Sequence, residues 1–258
     1  MIMVQNLLLD FSHIYPMHIE NDANHLIRID LSDIEGTDMY CSHEAMLEIQ
    51  RRLNNYGPEG IHFLDNGNYH YMTKVFVDKI KKPFSLVLFD HHTDMLQPMI
   101  HDLTSCGSWA GELLHENAYL KQLILIGPSQ QNIENNDVAS KVIYISVNEQ
   151  EEDVAHLQIK KVDLTLPTYI SIDKDVLDRY WARTNWDQGN MSIKTLEKIL
   201  QDIFKHQNVI GVDICGECDL HESYWQFKED EKINEMTNHI LYSFIERYLE
   251  NNQKRDDE

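Results

Sequence analysis

Eight short apolar runs recur along this chain, and half of them end on an acidic or polar residue. They are "MVQNLLL", "HLIRIDL", "IHFLD", "FSLVLFD", "QLILIG", "KVIYIS", "TYISID" and "NVIGVDI". Each is near-continuously apolar and rich in Val, Ile, Leu or aromatics, which is the pattern of strands covered on both faces. Amphipathic stretches separate several of the runs. Ser42 is placed to cap a helix over "HEAMLEIQRRLNNYG" that closes at Gly57, Ser192 opens "MSIKTLEKILQDIFKH", and a third helix is expected over "EKINEMTNHILYSFIERYLEN". Strands alternating with helices over the whole length predict a three-layer α/β/α domain with a mainly parallel central sheet and connections of the βαβ type.

With 258 residues, 42% of them apolar, the chain suffices for one large core. No internal repeat or low-complexity linker divides residues 1–258, so a single domain is expected, with "NNQKRDDE" (251–258) as a frayed tail. The formal net charge is -21, which would repel a phosphate backbone or an anionic membrane and favours cationic substrates or divalent metals. No apolar run approaches the roughly 20 residues that span a bilayer, and the first residues lack a secretory signal; a cytoplasmic protein is expected. Cys41, Cys106, Cys215 and Cys218 are too few and too scattered for a disulfide framework. Cys215 and Cys218 form a C-x-x-C after a strand, but a zinc ribbon needs a second such pair, and the acidic neighbours Glu217 and Asp219 disfavour a reactive thiolate.

An open parallel sheet receives its ligands beyond the carboxyl ends of its strands. Asp65 to His70, Asp90 to Asp94, Asp173 with Asp175, and Asp213 to Glu217 all fall at such ends. In an extended segment, Asp90, His92 and Asp94 share one side, and so do Asp173 and Asp175. Asp residues after strands are commonly N-caps or solvated strand ends. Four carboxylates converging on one crevice, however, would raise one another's pKa and destabilise the fold unless cations neutralised them; two divalent ions would do so.

These residues carry a family resemblance. "DHHTD" resembles the D-A-H-x-D motif, "SIDKDVLD" the S-x-D-x-D-x-x-D motif and "DNGNYHY" the G-G-D-H-S segment of the arginase, agmatinase and formiminoglutamase family, the ureohydrolases, in the same order from about His62 to Glu217. The resemblance implies an arginase-like fold and a binuclear manganese site, two Mn²⁺ per chain, held by His70, Asp90, His92, Asp94, Asp173 and Asp175. Oxygen-rich ligands with a minority of imidazoles suit such hard or borderline ions. Two metals sharing a water would generate hydroxide at neutral pH, which would attack a trigonal carbon such as a guanidinium. The implied activity is hydrolysis of a carbon–nitrogen bond in a small, cationic guanidino or amidino compound.

The chain also departs from the pattern. "MLQP" follows the first motif where arginases carry an Asn, so arginine is not the expected substrate. Cys106 precedes Gly107 where ureohydrolases have the His of a His-Gly, leaving Cys106 or the upstream His101 as candidate proton donors, with packing as the alternative for each. Glu217, one residue late in "DICGECD", is the candidate for binding the cation, although a shift of one residue reverses the facing of a strand side chain. Asp178 is expected either to support the ligands or to cap a helix, and Trp186 with Asp187 to shape the mouth or make a subunit contact. Two rivals stay open: a deacetylase-like amidohydrolase with one metal, and a catalytically silent relative that binds ligand without turnover. A homo-oligomer is compatible with the family resemblance.

Overall fold

The computed structural model describes residues 5–16, 26–97, 103–128, 140–145 and 162–256, the last six of these as backbone only. All eight expected strands form, and they make one sheet. In chain order its members are β1 (Asn6–Asp10), β2 (Leu26–Asp30), β4 (Gly60–Phe63), β5 (Phe84–Phe89), β7 (Leu120–Ile126), β8 (Val142–Ile145), β9 (Thr168–Asp173) and β10 (Val209–Cys215). Their order across the sheet is β2-β1-β4-β10-β9-β5-β7-β8, and every neighbouring pair is parallel. Met3, Val4, His25 and Ser146, the ends of three expected runs, lie outside the described residues.

Alternation along the strands builds two cores. On one face, Phe63, Val87, Phe89, Ile170, Ile172 and Ile214 pack against a helix at Ile193–His206 and another at Tyr224–Asp256. On the other, Leu64, Leu86, Leu88, Leu125 and Tyr169 pack against three helices: α1 (His43–Arg52), α2 (Met72–Val77) and α3 (Trp109–Glu116). The first two helices named are therefore α4 (Ile193–His206) and α5 (Tyr224–Asp256). In α4, Ile193, Leu196, Ile199, Leu200, Ile203 and Phe204 are all buried, a stripe at helical spacing worth roughly 1.5–3 kcal/mol per side chain in transfer from water. Ser192 caps this helix through Thr195 N at 3.2 Å, and Ser42 caps α1 through Ala45 N at 3.1 Å.

Element ends differ from expectation at two helices. Helix α1 stops at Arg52 with Leu53 as its cap, because Tyr56 N turns back to Leu53 O at 3.1 Å and the chain heads for β4 well before Gly57. Helix α5 begins seven residues earlier than the apolar periodicity suggests, and its backbone runs on through Asp256 into the stretch expected to be frayed. Two elements that carry no sequence signal are β3 (Tyr40–Cys41) and β6 (Thr104–Ser105), which pair antiparallel as a separate ribbon. Two-residue strands are too short to show a period of two. No helix among the described residues is long and apolar enough to cross a membrane.

Candidate metal centre

The carboxyl ends of the central strands β4, β10, β9 and β5 open on one crevice, and the buried acids collect there. Asp90 follows β5 directly; Asp173 ends β9; Asp175 lies in the single 3-10 turn Lys174–Val176 that follows. His70 arrives from the neighbouring crossover, on the turn between the 3-10 helix Gly67–Tyr69 and α2. These three acids, Asp94 four residues beyond Asp90, and His70 are all less than a tenth exposed.

Two groups share Asp90. In the first, His70 Nδ1 lies 3.3 Å from Asp90 Oδ2 and 3.0 Å from Asp94 Oδ2. In the second, His92 Nδ1 lies 2.8 Å from Asp175 Oδ2 and 3.5 Å from Asp90 Oδ1. Asp173 joins the first group, with Oδ2 3.4 Å from His70 Nδ1. All six residues read from the sequence as ligands are thus brought together.

Each is held by a partner behind it. His70 Nε2 meets Ser171 Oγ at 2.9 Å, and Ser171 meets Thr73 Oγ1 at the same distance, so the other ring nitrogen points at the carboxylates. His92 Nε2 meets Asp187 Oδ1 at 3.1 Å. Trp109 Nε1 donates to Asp94 Oδ2 at 2.6 Å. Asp94 adopts a left-handed φ of 52°, a conformation that costs a non-glycine residue about 1 kcal/mol or more. It is held there because its carbonyl accepts from Ala110 N (3.0 Å) and Gly111 N (3.2 Å) in the first turn of α3. Asp175 Oδ1 accepts from His91 N at 2.9 Å, and Asp90 Oδ1 from His92 N at 2.6 Å.

Backing of this kind fixes ring tautomer and ligand orientation, and its loss ordinarily weakens metal binding 10- to 100-fold. Ser171→Ala is expected to weaken divalent-metal binding by about that factor while leaving the fold intact, which a metal titration alongside a thermal melt would check. Unaltered affinity would mean that Ser171 does not orient His70.

The electrostatics follow from crowding in a dry site. Burial, reinforced by the charge of Asp90, pushes Asp94 up to about 6. Burial raises Asp173 as well, and burial plus its two acidic neighbours raises Asp175 well above the ordinary carboxylate range. Asp90 goes the other way: burial opposes its charge, but the close imidazoles of His70 and His92 outweigh it and hold the carboxyl below its usual range. Burial likewise opposes charge on the two imidazoles, yet their carboxylate partners hold His70 well above and His92 above the ordinary imidazole value. The expectation that all four acids would rise is therefore met at three and reversed at Asp90.

Two observations test whether divalent ions fit. Asp90 Oδ2 is buried, lies 3.3 Å from His70 Nδ1, and makes no hydrogen bond of good geometry. The two imidazoles that meet the carboxylates do so by positions a cation would occupy, from donors that are mostly oxygen, which suits Mn²⁺ or a similar ion. The residues fit the group.

Other candidates from the sequence fall out differently. Glu217 does not line the cavity: its Oε1 accepts from Lys174 Nζ at 2.6 Å and from Asn238 Nδ2 of α5 at 2.8 Å. The strand has ended at Cys215, and Gly216 N and Glu217 N both bond to Asp65 O, so the carboxylate turns towards Lys174 and α5. Cys106 does line the cavity, beside Gly107. Burial and then the charges of Asp94 and Asp173 push its thiol up to about 12, so it stays protonated at neutral pH. His101 lies outside the described residues. Asp178 accepts from Tyr180 N at 2.7 Å and caps a turn, not the helix expected as the alternative to ligand support. Asp213 is not at a strand end but inside β10, fully buried and bonded to His62 Nδ1 and Tyr169 OH. Cys215 and Cys218 are buried thiols, raised well above and up to about 12 respectively, chiefly by burial.

Sequence reasoning passed over Ser171, Trp109 and Lys174. For Ser171 a signal existed, since the alternation that pairs Asp173 with Asp175 also places Ser171 on the ligand side of β9. Trp109 and Lys174 act across sequence distances that no local pattern reports.

Comparison with known proteins comes down on one family. Residues 17–217 match the sequence model described as "Arginase family". An uncharacterised protein of Thermotoga maritima is 33% identical over 201 residues, 78% of this chain and 75% of that one. Among solved structures, the agmatine ureohydrolase of Thermoplasma volcanium superposes with a TM-score of 0.66 at 14% identity, covering 97% of this chain and 92% of the other. The proclavaminate amidino hydrolase of Streptomyces clavuligerus gives 0.63 at 15% identity, covering 94% and 92%. At such identities the superpositions establish likeness of fold.

Proposed function

This chain belongs to the arginase family, and we propose on that premise that it is a two-metal hydrolase cleaving a carbon–nitrogen bond of a small guanidino or amidino compound. The observation that carries the reading is the sharing of Asp90 between two ligand groups at the floor of a cavity of about 300 Å³. Two manganese ions there would supply an activated water at neutral pH and electrophilic stabilisation of the charge that develops on the attacked group. Their four positive charges would balance Asp90, Asp94, Asp173 and Asp175.

The protein side chains do the rest. Ser171 and Asp187 hold the two imidazoles in the tautomer that presents Nδ1 inward. The carboxylates and Trp109 fix the site before substrate arrives, so no reorganisation is needed during reaction. Cys106 contributes its thiol to the cavity wall beside Gly107. A one-metal, deacetylase-like site would use only Asp90, His92 and Asp175; the second group of His70, Asp90 and Asp94 favours two ions.

The test is elemental analysis of protein purified with manganese and without chelator, followed by assay of guanidino compounds for urea or ammonia release. Two ions per chain and metal-dependent release are expected. Absence of bound divalent metal would sink the proposal, and two ions without release from any compound would leave a binding protein.

Metal should also stabilise the fold in a pH-dependent way. The raised folded pKa of Asp94 makes the metal-free protein lose stability as pH rises from about 4 to 6, because the folded state then binds the more protons; His70 and His92, raised likewise, extend the loss above about 6.5. Asp90 has the opposite sign but acts only below about pH 4. Metal competes with these protons. At an ion concentration 100 times Kd, the gain is about 2.7 kcal/mol, or roughly 5–10 °C in Tm for a chain of this size. That gain should be larger at pH 8 than at pH 5.5 in parallel melts; equal gains would mean that binding displaces no protons.

A further inference from the structure

The wall above the ligands has a character that the reaction itself does not explain. Among the described residues lining the cavity, every carboxylate and imidazole belongs to the ligand set, and no Lys or Arg is present. The remaining lining at the mouth is Met39, Tyr40, Leu96 and Trp186, together with small residues. The one carboxylate that sequence offered for binding a cation, Glu217, is committed to Lys174.

These apolar groups are held in place at the mouth. Trp186 donates its indole N–H to Asn68 Oδ1 at 3.0 Å and stands edge-on to His92, with ring centroids 6.0 Å apart. Its polar atom is satisfied, so its carbon surface is what the cavity meets. It approaches so closely to Gly67 that a Cβ there would lie 2.6 Å from Trp186 Cδ1. Leu96 is 65% exposed, yet anchored by its own N–H to Gly107 O at 2.9 Å, and a Cβ on Gly107 would lie 3.2 Å from Leu96 Cδ1. Across the mouth, Met39 is in a left-handed conformation, φ 60°, and its carbonyl accepts from Cys106 N at 2.9 Å, tying it to the β3–β6 ribbon. An exposed leucine braced over a cavity, beside a tryptophan fitted against a glycine, marks a ligand-facing apolar surface more than incidental exposure.

We propose that Met39, Tyr40, Leu96 and Trp186 form an apolar collar that selects substrates whose reacting group carries an uncharged hydrocarbon tail, in place of the charged amino or carboxylate end of an amino-acid-derived guanidine. The proposal rests on the hydrolase reading and names the substrate class for the same site. A charged tail would have to shed water against Leu96 and Trp186, which offer no counter-charge, and the neighbouring carboxylate of Asp187 is already engaged by His92 Nε2 at 3.1 Å and faces His91 Nε2 at 3.7 Å. A hydrocarbon tail loses nothing there and gains contact.

The experiment uses three probes that share a guanidinium and a four-carbon chain, on the manganese-loaded protein: n-butylguanidine, 4-aminobutylguanidine and 4-guanidinobutyrate. Binding is read by calorimetry and any hydrolysis by urea release, with metal content measured on the same samples. n-Butylguanidine is expected to bind at least about tenfold more tightly than either charged-tail probe. Leu96→Ser, a change at an exposed position that does not endanger folding, and Trp186→Ala should each shrink that preference several-fold while the protein keeps two ions per chain. Equal affinities, tighter binding of a charged-tail probe, or binding of none of the three by a protein that holds two ions would overturn the collar and leave the hydrolase standing. Failure to hold divalent metal would instead overturn the hydrolase reading on which the collar depends.

Discussion

Asp90→Asn is expected to empty both metal positions at once and to lower any metal-dependent turnover by on the order of 10³-fold or more, beyond what loss of a supporting residue gives. The reason is topological. Asp90 is the residue common to the two ligand groups, whereas His92 and Asp175 serve one and His70 and Asp94 the other. His92→Ala should therefore leave about one ion per chain, and the contrast between the two variants is the informative part. Asn keeps the shape of Asp and one oxygen, so the comparison isolates charge. Metal counting on purified variants checks it: one ion retained by Asp90→Asn would mean that the two groups do not share this residue.

Glu217→Gln is the second large effect, and it concerns stability. Lys174 is fully buried between two ligand acids in the chain, and its ammonium is met by Glu217 at 2.6 Å and Asn238 at 2.8 Å. Removing the carboxylate charge leaves an uncompensated ammonium in the interior, which costs about 3–5 kcal/mol. The expected readout is a large fall in Tm, with the affinity for guanidino compounds almost unchanged in the protein that remains folded. Had Glu217 faced the cavity, the pattern would be reversed: little change in Tm and weaker binding of cations. The double variant Lys174→Met with Glu217→Leu removes both charges and should recover most of the loss. If it does not, the cost lies in packing against α5.

The sequence already carried the sheet. The strands were visible as apolar runs because the inner ones are buried almost throughout and few polar positions interrupt the pattern, and the acidic ends of several marked the crevice. The ligand set was legible for the same reason: Asp90, Asp173 and Asp175 sit at or beside strand ends, where chain order and alternation decide position. What escaped was set by tertiary packing. Glu217 lies past the end of β10, where alternation no longer holds, and its partner Lys174 comes from 43 residues away. The ribbon of β3 and β6 is two residues wide and was invisible, although it supplies part of the cavity wall. Helix α1 was read five residues too long because its polar end, "LNNYG", has no strong stop before Gly57.

The strand order has a consequence for how the chain acquires its fold. Strand β10, the last to be synthesised, lies between β4 and β9, and so separates the earliest-made strands from the latest. Until residue 215 has left the ribosome, β1, β2 and β4 cannot join β5, β7, β8 and β9 in one sheet, and His70 on one side cannot be fixed against Asp173 on the other. Parallel pairing over such separations is slow, and the unpaired edges of β4 and β9 are exposed meanwhile. Nascent chains and truncations ending before β10 should therefore be incapable of retaining metal, which makes ion capture a late event that reports completed folding.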